Sequence, residues 1–517
     1  MTVASKLQVL AAIKAAQYEA IIAKGGTLSP GDWGAYAAAI EALPTGGAGV
    51  PAVIASMPFE IGDEPLTGAI WYVKPGGTGN QDGSSWDHAF ATRQEAVNAA
   101  SSGDQIRVWE GTYYLDQIQT PKAGVSEYYG FNGDGSWATR QPFTHPSIHD
   151  SQFTSNNFTN SDQVFITGQI IDGFWIQCVV SERCILASSI TAIKNSTVLN
   201  GMSGGIGVSA HGSTIENSFV GNCYVPNTTT GGGGISAFGT TGSKPRINIT
   251  NCKVINCISS GIAGGIDGRY LNISGCYIAN CESLGVFSGG RGGGAAIRQD
   301  GLIEDTIAIN CACGSNGGGF SVSSSATVKN SLCINCVSTG TGKYGMGGGI
   351  HADNSVSLIN NTCVLCAAER GSGIYAGNNV LKLYNNAAYG CNIFMGVANA
   401  AYKIYNCASD NALTGIADWD TIADVQNFVT LTDFPFAAAG VPPWNVAGAF
   451  NSGNAIKQSE LALKYVNDVV IPSMANAHLL TGSPLIGAGY YEAGVTPDTD
   501  ADGKTRPIPP SIGAYEP

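Results

Sequence analysis

A short motif built around cysteine recurs through the middle of the chain. A cysteine ends a short apolar segment, usually directly after asparagine, at intervals of 24, 30, 25, 30 and 25 residues, at Cys257, Cys281, Cys311, Cys336, Cys366 and Cys391. Each interval also holds a glycine cluster followed by a short alternating segment, such as GGGAAIRQD at 292 and GGGIHADNS at 347. Such segments are too short for helices, and this period is typical of solenoids. The repeat predicts a parallel β-helix over residues 165–410.

Stacking of successive coils explains which residues recur. Neighbouring coils lie ~4.8 Å apart, so equivalent side chains form columns. An interior column of cysteine and aliphatic residues packs without charge, and the asparagine before each cysteine is suited to cap the bend in a ladder. The chain has 70 glycines among 517 residues, and only 12% of its residues are charged. This composition excludes charge-driven disorder, and a net charge of −13 disfavours nucleic acid as a partner.

The cysteines are predicted to be reduced. There are 15 of them, an odd number, in a chain whose first 20 residues carry charges and lack the apolar core of a secretory signal. The longest uncharged stretch near the start, Ala42 to Phe59, is interrupted by prolines and glycines, so no membrane helix is predicted there. The sequence therefore favours buried thiols over a disulfide framework.

The chain begins with a predicted helical hairpin over residues 1–45. An alanine-rich amphipathic segment ends at Gly25, and Ser29-Pro30 begins a second one that Pro44 ends. Residues 46–66 are then predicted to form a linker, because proline and glycine recur there. The pattern SKLQVLAAIKAAQYEAIIAKG followed by SPGDWGAYAAAIEAL resembles the helical hairpins that open many bacteriophage tail and tail-fibre proteins.

The two flanks of the repeat also resemble a known family. Residues 71–114, a strand, a DGSSW turn, an amphipathic segment and another strand, are similar to the N-terminal capping module of right-handed parallel β-helix surface proteins. The tail SPLIGAGYYEAGVTPDTDADGKTRPIPPSIGAYEP resembles the closing module of the same family. The resemblance implies an all-β, right-handed, single-stranded parallel β-helix with a capping module at 67–164 and a closing module at 411–517. This fold hosts lyases, hydrolases, adhesins and inert shafts, so it does not define function.

One face of the predicted solenoid collects the scarce charges. Because alternate residues of a strand point to opposite faces, the residues after each glycine cluster place a polar stripe outward. His211 falls near the same column. Longer loops after alternate cysteines form a predicted rim beside the stripe. The candidate glycan-binding residues are Asp267, Arg269, Arg298, Asp300, His351, Asp353 and Tyr375 on the stripe, and Phe287, Arg291 and Tyr344 on the rim. The alternative is a solvated sheet face with cross-strand ion pairs.

Catalysis and metal binding receive weaker support from the sequence. A lyase would use Arg269 or Arg298 as its base, and the high pKa of arginine makes that costly, so binding is favoured. Cys333 and Cys336 share the repeat strand and do not predict a zinc site. The run Asp498, Asp500 and Asp502 resembles the start of a calcium loop but lacks its final glutamate, so Ca²⁺ is a weak candidate and no other cofactor is predicted.

Three functions remain open at this point. The first, favoured by the front hairpin, the lack of a secretory-signal pattern and the uncharged, repetitive shaft, is a virion tail-spike or tail-fibre protein, made in the host cytoplasm and acting outside the cell. It would be a homotrimer that docks on other tail or baseplate proteins through residues 1–45 and binds a host-surface polysaccharide. The second is a polysaccharide lyase or glycosidase on the same fold, although no catalytic motif of that class is complete. The third is a bacterial surface adhesin.

Overall fold

The computed structural model covers the repeat region almost completely. It describes residues 52–65, 67–114, 122–151, 164–166, 170–178, 183–189, 191–201, 203–226, 231–239, 245–285, 291–341, 344–377, 380–395, 403–409, 425–431 and 478–517. The predicted hairpin at 1–45 and the rim residue Phe287 lie outside these residues.

Each coil is a run of short strands joined by tight bends. In one coil, strands Ile247–Thr250, Lys253–Ile255, Ile258–Ser259 and Ile266–Arg269 follow one another, and the next coil begins at Leu271. Each strand pairs in parallel with its counterpart in the neighbouring coil. The predicted all-β class, a solenoid of stacked parallel strands, is therefore confirmed.

Two long sheets are formed by the first and second strands of the coils. Sheet A has 14 strands among the described residues: Ile70–Val73, Gln105–Trp109, Ser126–Phe131, Ile170–Asp172, Ala192–Lys194, Thr214–Glu216, Ile247–Thr250, Leu271–Ser274, Gly301–Glu304, Thr327–Lys329, Ser357–Ile359, Lys382–Tyr384, Lys403–Tyr405 and Val425–Gln426. Sheet B has 13: Gly111–Tyr114, Ser147–Ser151, Phe174–Cys178, Thr197–Leu199, Phe219–Gly221, Lys253–Ile255, Tyr277–Ala279, Ile307–Ile309, Leu332–Ile334, Thr362–Val364, Ala387–Tyr389, Ala408–Ser409 and Val429–Thr430.

Two further sheets complete the coils. Sheet C, which follows the glycine clusters, has 10 strands in the described part: Val164–Ile166, Ile185–Ala187, Ile206–Val208, Ile235–Phe238, Ile266–Arg269, Ala295–Ile297, Phe320–Ser323, Ile350–Asp353, Ile374–Ala376 and Ile393–Met395. Sheet D has five short strands between sheets B and C: Tyr224–Val225, Ile258–Ser259, Glu282–Ser283, Ala312–Cys313 and Val337–Ser338.

Helical structure is sparse in the part of the chain that the structure describes. The α-helices of the described residues are Ala52–Ala55 and Arg93–Ala99, and the 3₁₀ turns are Trp86–His88 and Trp137–Thr139. Helix Arg93–Ala99 begins with a capping box, in which the Thr92 hydroxyl accepts from the Glu95 amide and the Glu95 carboxylate accepts from the Thr92 amide. None of these helices is long and apolar enough to span a membrane.

The cysteines of the repeat form an interior column at the bend between sheets B and D. All six are buried and free. Each thiol lies near the backbone of the preceding coil; Cys281 Sγ, for example, donates to the Val254 carbonyl at 3.5 Å. Burial raises the pKa of Cys257 and Cys336 well above the usual range, which keeps them as thiols. A second column, which the sequence analysis missed, places Cys252, Cys276 and Cys407 at the bend between sheets A and B.

The prediction that every cysteine is reduced is wrong for one pair. Cys178 and Cys184 form a disulfide, and the other 13 cysteines are free. Cys178 ends a sheet B strand and Cys184 directly precedes a sheet C strand, so one short connection brings their Cα atoms to 6.1 Å. That separation lies within the range that a disulfide bridges.

The asparagine before each repeat cysteine forms a ladder, as expected. Its side-chain amides bond from coil to coil: Asn256 to Asn222 at 3.2 Å, Asn280 to Asn256 at 3.0 Å, and Asn335 to Asn310 at 2.9 Å. These residues adopt a left-handed backbone, with φ between 51° and 55°, which asparagine tolerates better than most residues. The ladder therefore fixes this bend from Asn222 to Asn335, and in the next two coils Leu365 and Gly390 take its place with the same left-handed backbone.

The outer face of sheet B is apolar and covered. One hydrophobic cluster joins its outward residues to Ile54 and Met57 from the N-terminal side and to Leu485 and Ile512 from the C-terminal side. Polar contacts also hold the C-terminal residues there: the Ala514 amide donates to Thr362 Oγ1 at 2.9 Å. Residues 478–517, which belong to the predicted closing module, therefore pack along the side of the solenoid.

Candidate functional site

The predicted polar stripe follows one outward column of sheet C. Asp267 pairs in register with Ser236 on one side and Ala296 on the other. Ser321, His351, Tyr375 and Phe394 continue the column, one coil apart. The alternation read from the sequence thus places Asp267, His351 and Tyr375 on a common line.

The stripe is less exposed than the sequence analysis expects. Asp267 is 0% exposed, His351 7% and Tyr375 9%, whereas Arg269 is exposed. The glycine segments, which are the runs that contain the glycine clusters before the sheet C strands, explain this burial because they pass directly over the column. A Cβ on Gly231 would lie 2.8 Å from Asp267 Oδ2. The expectation of a wholly solvent-facing stripe is therefore wrong for Asp267, His351 and Tyr375.

A buried ion pair forms the centre of the site. Arg298 contacts both carboxylate oxygens of Asp267, with Nε to Oδ1 at 3.0 Å and Nη2 to Oδ2 at 2.6 Å. The guanidinium also lies 4.6 Å from the ring centroid of Phe238. Burial raises the pKa of Asp267 to about 6, and the charge and hydrogen bonds of Arg298 oppose that rise.

Two further arginines surround the pair. Arg269, at the end of the same strand as Asp267, and Arg291, from the glycine segment, both lower the pKa of the Asp267 carboxyl through their charge. One carboxylate therefore faces three guanidinium groups, and the local charge is positive although the whole chain carries −13. An anionic ligand is favoured by this arrangement.

Aromatic rings continue the column beyond the arginines. His351 and Tyr375 stack with ring centroids 5.5 Å apart, and Tyr375 and Phe394 stack at 5.4 Å. His351 Nδ1 lies 3.3 Å from the Ser321 hydroxyl. Burial, reinforced by the charge of Arg291, lowers the pKa of His351 to about 3, so the imidazole is neutral at physiological pH.

The other predicted residues are dispersed. Asp353 ends its sheet C strand one coil beyond Ser323 and accepts a hydrogen bond from the Asn354 amide at 3.0 Å. Tyr344 is half-buried at the start of a glycine segment. Asp300 does not share the face of Asp267: it lies at the bend before sheet A, where its carboxylate pairs with Arg246 at 2.6 Å. The reason is that the sheet C strand ends at Ile297, so the alternation does not extend to position 300.

The histidine near the stripe also lies at a bend. His211 follows the sheet C strand Ile206–Val208, and its ring centroid lies 6.4 Å from that of Tyr270, which occupies the corresponding bend of a later coil. It therefore does not belong to the column of Asp267.

The weak calcium candidate includes one carboxylate that is bonded to backbone amides. Asp500 is buried; its Oδ1 accepts from the amides of Asp502 and Lys504, and its Oδ2 accepts from the amide of Glu516. Asp502 pairs with His478. Within the described ranges, no group of three or more His, Cys, Asp or Glu side chains is arranged to hold a metal ion.

Sequence reasoning missed two members of the site, Arg183 and Phe238. A Cβ on Gly207, next to Ser236 in the outward column, would lie 2.4 Å from Arg183 Nη1, so this guanidinium extends over the same face. Arg183 lies two residues before Ile185, and Gly204 lies two residues before Ile206, the partner of Ile185 in the next coil. Arg183 therefore occupies the position that a glycine of the cluster occupies in the next coil. That replacement is the signal that could have identified it. Phe238 lies one strand from Arg269 in register.

The chain is similar to several solved structures at low sequence identity. It is similar to pectate lyase Pel9A at 15% identity and a TM-score of 0.42, covering 86% of this chain and 96% of that one. It is similar to the GH136 lacto-N-biosidase from Eubacterium ramulus at 10% identity and a TM-score of 0.34, covering 70% of this chain and 68% of that one. It is also similar to PfbA, a surface adhesin of Streptococcus pneumoniae, at 12% identity and a TM-score of 0.31, covering 63% of this chain and 86% of that one. No family model and no curated protein matches the chain.

Proposed function

We propose that this protein binds an extended, acidic surface glycan along the outer face of sheet C. The observation that carries the proposal is the buried Asp267–Arg298 pair, around which Arg269 and Arg291 gather positive charge on one face. Guanidinium groups recognise carboxylates through paired hydrogen bonds, and coils spaced ~4.8 Å apart offer repeated contacts to a linear chain. The ion pair fixes the surface, and Arg269 and Arg291 are the groups that contact ligand.

Binding is favoured over bond cleavage by the burial of the titratable groups. Asp267 and His351 have shifted pKa values, yet both lie beneath the glycine segments, and both oxygens of Asp267 are bonded to Arg298. A general base must come within hydrogen-bond reach of the proton that it removes. Neither group meets that requirement for a ligand on the surface.

The biological setting in our proposal is a virion tail. The resemblance of residues 1–45 to tail-protein hairpins supports a tail-spike or tail-fibre protein that docks on other tail or baseplate proteins. We propose a homotrimer that acts outside the cell on a host-surface polysaccharide. A bacterial adhesin would present the same face to a glycan, and a depolymerase would release product from it.

Replacing Arg269 and Arg291 together by alanine is expected to weaken glycan binding at least tenfold. Each lost charge-assisted hydrogen bond costs about 1.5 kcal/mol or more. The measurement is a screen of the wild type on acidic and neutral surface polysaccharides, followed by affinities of the wild type and the variant for the strongest ligand.

The control is Lys403→Ala, which removes an exposed cation from sheet A. Equal affinity of wild type and double variant, with thermal unfolding unchanged, would show that the sheet C face is an ordinary solvated surface. Ultraviolet absorbance of an unsaturated sugar, appearing during incubation with the ligand, would establish a lyase in place of a binding protein.

Deletion of residues 1–45 is expected to leave a folded β-helix that is lost from particles. The described solenoid makes its own sheets and core from residue 52 onward, so its melting temperature should stay close to that of the full chain, while the helical part of the circular dichroism is lost. Incorporation is measured by mass spectrometry of purified virions produced with either form. Normal incorporation of the truncated form would rule out attachment through the hairpin.

A further inference from the structure

A second groove lies on sheet A, away from the arginine cluster of sheet C. Its volume is about 350 Å³. Its floor is formed by Leu302, Thr327, Ser357 and Lys382, which are successive partners on four neighbouring strands and so extend over about 14 Å. Arg246 and, from the C-terminal residues, Val495 also line it. The groove therefore exists because the C-terminal residues pack beside the solenoid.

Positive charge lines the groove more than negative charge. Arg246, Lys329 and Lys382 line it, against the single carboxylate of Asp300. The two lysines are held by Glu304 at 2.6 Å and Glu492 at 2.8 Å, which orient them but do not line the groove themselves. The lining thus offers fixed cations to an anionic group.

Arg246 supplies a further donor. Its Nη2 donates to Asp300 Oδ1 at 2.6 Å and its Nη1 to Asn272 Oδ1 at 3.1 Å, while its Nε is buried and bonds to no protein atom. A buried donor without an acceptor costs free energy, and a bound acceptor or water removes that cost. Arg246 Nε is therefore a donor that no protein atom satisfies.

The floor combines hydroxyls with apolar surface. Thr327 and Ser357 are register partners on adjacent strands, so their side chains are neighbours on the groove floor. Leu302, Ile359 and Val495 add apolar contact area beside them. Paired hydroxyls, apolar patches and fixed cations are the groups that recognise a sugar ring carrying a carboxylate.

We propose that this groove is a second saccharide-binding site, specific for a short segment of an acidic, uronate-type glycan. It is independent of the sheet C surface, from which it differs in sheet, in residues and in its use of the C-terminal residues. A glycan held at two faces of one solenoid would be bound with greater avidity than at either face alone.

The test uses the full chain carrying Arg269→Ala and Arg291→Ala, so that the sheet C surface does not contribute. The probes are tetragalacturonate and its carboxyl-reduced derivative, which has the same linkages without charge. Titration calorimetry is expected to detect the acidic probe, with at least tenfold weaker binding of the reduced one. Adding Thr327→Val and Ser357→Ala should weaken binding of the acidic probe about tenfold.

Thr214→Val is the matched control, because Thr214 lies in the same outward column of sheet A but outside the groove. It should leave binding unchanged. Three results would overturn the proposal: no binding of the acidic probe, equal binding of both probes, or equal weakening by the control and by the groove variant. None of these results bears on the sheet C surface, which is tested separately by comparing the wild type with the Arg269 and Arg291 double variant.

Discussion

Arg298→Met is expected to lower the free energy of unfolding by about 3–5 kcal/mol at pH 7, the cost of breaking a buried ion pair. Asp267 is fully buried, and Arg298 bonds to both of its oxygens. Removing the arginine leaves an unpaired carboxylate beneath the glycine segments. Methionine keeps much of the apolar contact with Phe238, so the change acts mainly on charge. Urea denaturation of both proteins measures the difference.

The effect of this change should depend on pH in a defined direction. The pKa of Asp267 is about 6 in the folded protein and near the usual 3.8 when unfolded, so the folded state holds the extra proton. Its contribution to stability is therefore present below pH 4 and declines as the pH rises toward 6. Without Arg298, the pKa of Asp267 rises further, and the decline continues above pH 6. The deficit of the variant is expected to be smaller at pH 5 than at pH 8.

A double variant separates charge from packing. Asp267→Asn combined with Arg298→Met removes both charges and should recover most of the stability lost at pH 8. His351 has a pKa of about 3, so below pH 6.5 its effect on the free energy of unfolding changes with pH in the opposite direction to that of Asp267. Because His351 is present in all three proteins, this effect cancels in the comparison. Equal deficits at pH 5 and pH 8 would contradict the assignment of the loss to Asp267.

The fold could be predicted because its constraints are local and recur. Asparagine at a bend, usually with a cysteine after it, and alternating residues after a glycine cluster recur from coil to coil, and stacking converts that repeat directly into sheets. The apolar outer face of sheet B was also readable in principle. Strands such as Phe219–Gly221 and Leu332–Ile334 are apolar on both faces, which indicates that both faces are covered.

The burial of the site could not be predicted in the same way. Alternation assigns Asp267 to the outward face correctly, but exposure depends on the path of the glycine segments, which have no side chains to indicate it. The pairing of Asp300 with Arg246 joins residues 54 positions apart and depends on where one short strand ends. Such contacts arise from tertiary packing, and no local pattern encodes them.

Gly348→Ala is expected to destabilise the protein by about 3 kcal/mol, the upper range for an overpacked site. A Cβ at this position would lie 2.2 Å from the Ser372 carbonyl oxygen and 2.4 Å from that of Ala367. Both are backbone atoms of the solenoid, so neither can move as a side chain would. The backbone of Gly348 is not in the left-handed region, so the cost comes from space and not from strain.

The same lack of space for a Cβ atom is found at equivalent glycines of other coils. Added Cβ atoms on Gly293 and Gly318 would lie 2.3 Å from carbonyl oxygens of neighbouring segments. This explains why glycine recurs in the clusters and how the segments pack closely enough to cover Asp267 and His351. Gly62→Ala is the matched control, because a Cβ there meets no atom within 4 Å. The melting temperatures of the two variants are compared. Equal melting temperatures for Gly348→Ala and Gly62→Ala would show that the glycine segments can move to accommodate a Cβ atom, and that their close packing does not require glycine.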